Sequence, residues 1–239
     1  MLKQFVRQPV WLSLALLSLM PFSLQSREEK GEFIIYQSGG QIGRDSYQIR
    51  PEGDAWVLAG EVTLSLPQLQ LSQKPVLKLD SLLEPTQFFV QATTNGKNVT
   101  VSFTFANGTA SIQTRTNDRT RNEDVAYPEG AVLLANNVFH HMLILVRKYY
   151  PDKGKERSLT VFPNIPATIA DKGEDEFQWR GKPLRLRRLF ITIGGRLAET
   201  VWIDHAKRII RLSVPAQSLE VALSGYEQIV DQTGKPVSP

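Results

Sequence analysis

Cysteine is absent from the 239 residues, which excludes disulfides, thiolate metal centres and a thiol nucleophile. The 16 glycines and 14 prolines follow no fixed period, so collagen-like, solenoid and propeller architectures have no support. No Gly-x-Ser-x-Gly turn, phosphate-cradling glycine loop or dinucleotide fingerprint occurs, and the common hydrolase, nucleotide and nicotinamide sites drop out with them. What is present is an ordinary globular composition, 41% hydrophobic and 22% charged.

A long apolar run is also missing. Residues 1–26 carry Lys3 and Arg7, no acid, an apolar stretch from Val10 to Met20, then Pro21 and a polar exit through Ser23, Gln25 and Ser26. This is the layout of a secretory signal peptide. The apolar stretch is about half of the roughly twenty residues that a membrane-spanning helix needs. We expect cleavage between Ser26 and Arg27, no lipidated cysteine anchor, and a soluble protein exported to the periplasm or beyond. Removal of Lys3 and Arg7 lowers the net charge from +4 to +2, so the basic balance of the whole chain does not indicate nucleic acid, which would demand a concentrated cationic face. The one dense cluster, Arg185, Arg187 and Arg188, reads as a solvated strand face.

The body of the chain alternates with a period of two, the mark of a half-buried strand. Trp56, Leu58, Val62, Leu64 and Leu66 interleave with Ala59, Glu61, Thr63 and Ser65, and Val99, Val101, Phe103 and Phe105 interleave with Thr100, Ser102, Thr104 and Ala106. Asn107-Gly108 then predicts a hairpin. Further strands are expected at Leu159–Phe162, Leu184–Ile193, Leu197–Ile203, Ile209–Val214 and Leu219–Leu223, separated by connections too short for parallel crossovers. One stretch departs from this rule. Leu134, Val138, Met142, Leu145 and Tyr149 recur at helical spacing, with Phe139, Leu143 and Val146 beside them. A single helix is predicted between Pro128-Glu129-Gly130 and Pro151. The polar stretch Thr114–Glu129 reads as a loop with at most a short exposed strand. Residues 27–31 and 231–239 read as flexible tails around one domain, 32–230. The fold class is therefore mainly β: an antiparallel meander forming a curved sheet or half-barrel around one central α-helix.

The segment Tyr36-Gln37-Ser38-Gly39-Gly40-Gln41-Ile42-Gly43-Arg44-Asp45-Ser46-Tyr47-Gln48-Ile49 resembles the opening hairpin of an uncharacterised family of bacterial exported β-proteins. In that family a strand, a glycine-rich turn and an Ile-Gly pair lead into a second strand. The mid-chain segment His140–Tyr149 and the late segment Val201–Ile209 extend the resemblance over most of the mature chain. It implies a half-barrel wrapped around a helix, similar in outline to periplasmic lipoprotein carriers and to glycolipid-binding half-barrels, and it carries over no site residues.

A sheet curled around a helix encloses an apolar lumen, in which an acyl chain gains ~0.8 kcal/mol per buried methylene before ordering costs. The candidate lining residues are Ile35, Trp56, Leu58, Phe103, Phe105, Phe139, Leu143 and Val146; the alternative for the same residues is a closed, filled core. Among polar groups, His140 and His141 lie about 100° apart around a helix axis, unsuited to one metal but free to meet Asp204 or Asp124 across the fold. His205 beside Asp204 suits a surface turn. Glu174-Asp175-Glu176 reads as a hydrated loop, at most a weak cation holder, and the glycosylation sequons at Asn98 and Asn107 carry no weight in a hairpin. No catalytic residue, metal or cofactor is assigned. The expectation is an exported, non-enzymatic protein that binds or carries a lipid, glycolipid or acylated protein in the cell envelope, with peripheral membrane contact left open and any protein partner unknown. The alternatives are an envelope scaffold with a closed core, docking a partner through the Arg185–Arg188 strand or the polar stretch, and a hydrolase built on one of the histidines.

Overall fold

The computed structural model describes residues 28–117 and 119–236. The expected signal peptide and its cleavage point lie outside this range, as do residues 237–239. Before the helix run β1 (Glu29–Gln37), β2 (Gly40–Glu52), β3 (Ala55–Leu66), β4 (Leu69–Leu79), β5 (Pro85–Thr94), β6 (Lys97–Ala106), β7 (Thr109–Thr116) and β8 (Arg119–Ala126). After α1 (Met142–Tyr149) come β9 (Glu156–Val161), β10 (Ile165–Trp179), β11 (Lys182–Ile193), β12 (Arg196–Ile203), β13 (Ile209–Val214), β14 (Leu219–Leu223) and β15 (Lys235–Pro236).

All strands join one antiparallel sheet in the order β15-β10-β11-β12-β13-β14-β1-β2-β3-β4-β5-β6-β7-β8, with β9 also on β10. The sheet is therefore two meanders joined where the first strand pairs with β14, Ile35 facing Val221. Its two flanks do not pair, so the barrel stays open. The tight turns are set by residues that tolerate positive φ: Asn107 and Gly108 at 51° and 72°, Gly194 and Gly195 at 58° and 77°, the combination a two-residue hairpin demands.

Inward-facing side chains of both meanders form one core with α1, in which Met142, Leu143, Ile144, Leu145 and Val146 are all buried. An eight-residue helix is unstable alone in water. Burial of those five side chains supplies a gross stabilisation on the order of 10 kcal/mol and makes it a tertiary product. Among the described residues no helix is long and apolar enough to cross a membrane. A second, smaller cluster, Phe177, Leu186, Trp202, Ile210 and Ile229, covers the outer face.

Several sequence expectations change. The helix is shorter than its periodicity suggested: Phe139–His141 is a 3-10 turn, and the chain before it is irregular, with turns and one isolated bridge. The Val132 N–H donates to the Thr160 carbonyl (2.8 Å), the Val132 carbonyl accepts the Phe162 N–H (2.9 Å), and Asn137 sits at φ 62°. Apolar residues that pack on a core from an irregular segment satisfy helical spacing without being helical. The polar stretch after Thr114 holds the exposed strand that the sequence allowed for, but more strand than loop: the end of β7 and the whole of β8, an edge strand almost entirely exposed; its charges are the usual protection of a sheet edge. The acidic triplet lies in β10, not in a loop. At the ends, Glu29–Gly31 belong to β1 and Lys235–Pro236 pair with β10, so these parts of the expected tails are strand.

Candidate functional site

All eight candidate lining residues contribute to the inner core. Ile35, Leu58, Leu143 and Val146 are buried in the core cluster, and Trp56 and Phe103, partly buried, pack against it. Phe105 stacks on Phe103 and meets Tyr127 at 4.8 Å between ring centres; it also lines an open depression of about 430 Å³ with Pro85, Glu84 and Tyr127. Phe139 lines something different.

That feature is a cavity of about 290 Å³ at the end of the trough where α1 begins. Val138, Phe139 and Met142 contribute from the helix side, Val161 and Phe162 from the end of β9, and Ile193 and Val214 from the ends of β11 and β13. Asn136 and Gln217 stand at its exposed rim. Into this apolar lining β12 delivers Glu199. Alternation along β12 explains the placement: Trp202 points into the outer cluster, while Val201 and Ile203 face the core, and Glu199 takes the same inward phase. Its Oε2 is shielded from solvent, and among the described residues the carboxyl has no hydrogen-bond or ion-pair partner. Burial alone pushes its pKa up to about 7. At the same end of the strands an open groove of about 620 Å³ runs over Ile42, Leu64 and Leu71, with Gln41, Arg44 and Gln70 at its sides.

The histidines meet neither Asp204 nor Asp124. Both are fully buried, and the partner of His140 is Asp45, which β2 brings inward in phase with Tyr47 and Ile49. The His140 backbone N–H donates to Asp45 Oδ2 at 2.9 Å, and its Nδ1 lies 2.5 Å from Oδ1. Space for this ring exists because the inward position of β3 between Leu58 and Val62 is Gly60, where a Cβ would lie 2.5 Å from His140 Cε1. His141 accepts the Ala135 N–H on Nδ1 (3.2 Å). Burial, and secondarily His140 beside it, hold its pKa well below the usual histidine range. Tyr47 stacks on His140 and Phe88 meets His141 edge-on. This cluster is sealed, with no cleft for a substrate.

The arginine cluster is divided by the same alternation. Arg188 turns outward to Asp175, whose Oδ2 it meets at 3.1 Å and which also accepts the Trp202 indole N–H at 2.9 Å; Asp175 is 1% exposed. The hydrated-loop reading of the triplet therefore fails at its central residue, because β10 turns that side chain against the outer cluster. Arg185 and Arg187 face a polar cleft of about 280 Å³ at the far end of the trough, with Tyr150, Lys207 and His205. There Arg187 donates to the Tyr150 hydroxyl at 2.5 Å. His205 is exposed, and Asp204 pairs with Arg208 (2.8 Å). No group of three or more potential metal ligands exists among the described residues.

No family model matches the chain, and no curated protein does. Among solved structures it is similar to a DUF1089 family protein from Pseudomonas aeruginosa, at 10% identity, with 72% of this chain and 90% of that chain covered and a TM-score of 0.41. This is a distant likeness to one member of an uncharacterised family.

Proposed function

We propose that the protein is an exported, non-enzymatic carrier of a small hydrophobic molecule in the cell envelope. The observation that supports this reading is the cavity of about 290 Å³ framed by Val138, Phe139, Met142, Phe162 and Ile193. Apolar cavities of about 150 Å³ already take a benzene ring, and ligand pockets begin near 300 Å³. The space suits one ring or one short acyl chain rather than a whole diacyl lipid. Six buried methylenes would gain ~5 kcal/mol before association costs. The burial of Leu58, Leu143 and Val146 in the core keeps the ligand, on this reading, at the end of the trough. It is also what favours the alternative, a scaffold with no ligand.

The test is native mass spectrometry of protein purified from its own envelope, before and after organic extraction. The carrier reading expects an extractable apolar species on the wild type and none on Val138→Trp, in which the added ring fills the space. Ligand-free wild type at full occupancy of the signal would leave the scaffold reading.

A further inference from the structure

A buried carboxyl without a partner is costly. Removing an ionised group from water is tolerated in folded proteins when a counter-charge or hydrogen bonds replace the lost hydration. The other buried acids are compensated: Asp45 accepts two bonds from His140, Asp171 accepts the Gly154 and Gly173 N–H groups, and Asp175 is held through Oδ2 by Arg188 and Trp202, with only its Oδ1 left without a partner. Glu199 has no such compensation, although it lies in a cavity wall where a bound molecule would reach it. Every other side chain that lines the cavity is apolar or a neutral amide, so no cation of the protein faces Glu199 there. The cationic side chains Arg187 and Lys207, with Tyr150, belong to the opposite end of the trough.

The geometry points to an amine-bearing amphiphile as the ligand class: an apolar chain or ring fills the space between Phe139, Phe162 and Ile193 while its ammonium donates to the Glu199 carboxylate. This assignment rests on the carrier reading of the same cavity. Charge-assisted N–H···O bonds are roughly twice as strong as neutral ones, so an amine outcompetes an alcohol of equal length. A fatty acid anion meets like charge and needs a captured proton to enter.

Octylamine, octanol and octanoate, titrated calorimetrically into the full-length protein at pH 8, test the assignment. Octylamine should bind about tenfold or more tighter than octanol, with octanoate weakest, the difference expected of one charge-assisted contact. Glu199→Gln keeps the volume and removes the charge; it should bring octylamine down to the octanol level and leave octanol unchanged. A thermal melt confirms that the variant is folded, and Glu199→Asp, which retains the charge, should restore part of the preference. Equal binding of amine and alcohol by the wild type, or an amine preference that survives in Glu199→Gln, overturns the amine assignment and leaves the apolar cavity in place. Failure of all three probes to bind the wild type overturns the carrier reading as well.

Discussion

The middle of the trough and its end each bury an acid, and they resolve the problem in opposite ways. At the centre, Asp45 is fully enclosed and satisfied by the ring and backbone of His140, in a pocket that Gly60 leaves open for it. At the end, Glu199 is half-buried beside apolar side chains, its Oε2 shielded from solvent and without a hydrogen-bond partner among the described residues. A saturated polar group contributes to fold specificity; an unsaturated one retains binding capacity. The contrast separates architecture from recognition within a single core.

The strongest way to break the contrast is to remove the satisfied acid. Asp45→Ala leaves the His140 N–H and Nδ1 buried without a partner and should cost about 3–5 kcal/mol in urea unfolding; a loss under about 1 kcal/mol would mean that the pair contributes little. The unsatisfied acid should behave in the reverse sense. Its folded pKa of about 7 stands above the ordinary 4.5, so its contribution to stability is fully present below pH 4.5 and is lost as pH rises through 7. Glu199→Gln should therefore match the wild type near pH 4.5 and exceed it at pH 8, by an amount on the order of 3 kcal/mol. His141 acts with the opposite sign, because its lowered pKa makes stability fall as pH drops below the usual histidine range in both proteins. Subtracting the two urea curves isolates Glu199. Equal curves at pH 8 would show the carboxyl to be hydrated.

A smaller effect follows from the space around His140. In Gly60→Ala the new Cβ would stand 2.4 Å from the Ser46 carbonyl and 2.5 Å from His140. Displacement of that ring should cost about 1–3 kcal/mol and shift the His140 side-chain resonances in an NMR spectrum. Smallest of all, His205→Ala, at an exposed turn, should change the thermal stability by no more than about 0.5 kcal/mol, in contrast to any change at the buried histidines.

Much of this fold was legible in the chain because half-buried strands declare themselves by alternation. β3, β6 and β11 to β14 follow their apolar phase, and Asn107-Gly108 and Gly194-Gly195 mark their turns. β8 was not legible: an edge strand that buries neither face has no reason to alternate in hydrophobicity. β10 was obscured by Glu174-Asp175-Glu176, since local composition cannot show that Trp202 and Arg188 wait across the sheet for the middle acid. The cavity was missed for a related reason. Of the eight candidate residues only Phe139 lines it, while the informative signal is a charge on the inward phase of a strand, Glu199 before Val201 and Ile203, and likewise Asp45 before Tyr47 and Ile49. Inward glycine was the companion signal, Gly60 marking where a ring must enter.

The pairing of β1 with β14 also sets a timetable for the newborn polypeptide. Phe33 to Gln37 find their partners at Leu219 to Leu223, almost the whole chain later. Such distant contacts make closure slow and late. The two meanders cannot be joined until Leu219 to Leu223 are available, so completion of the sheet waits on β14.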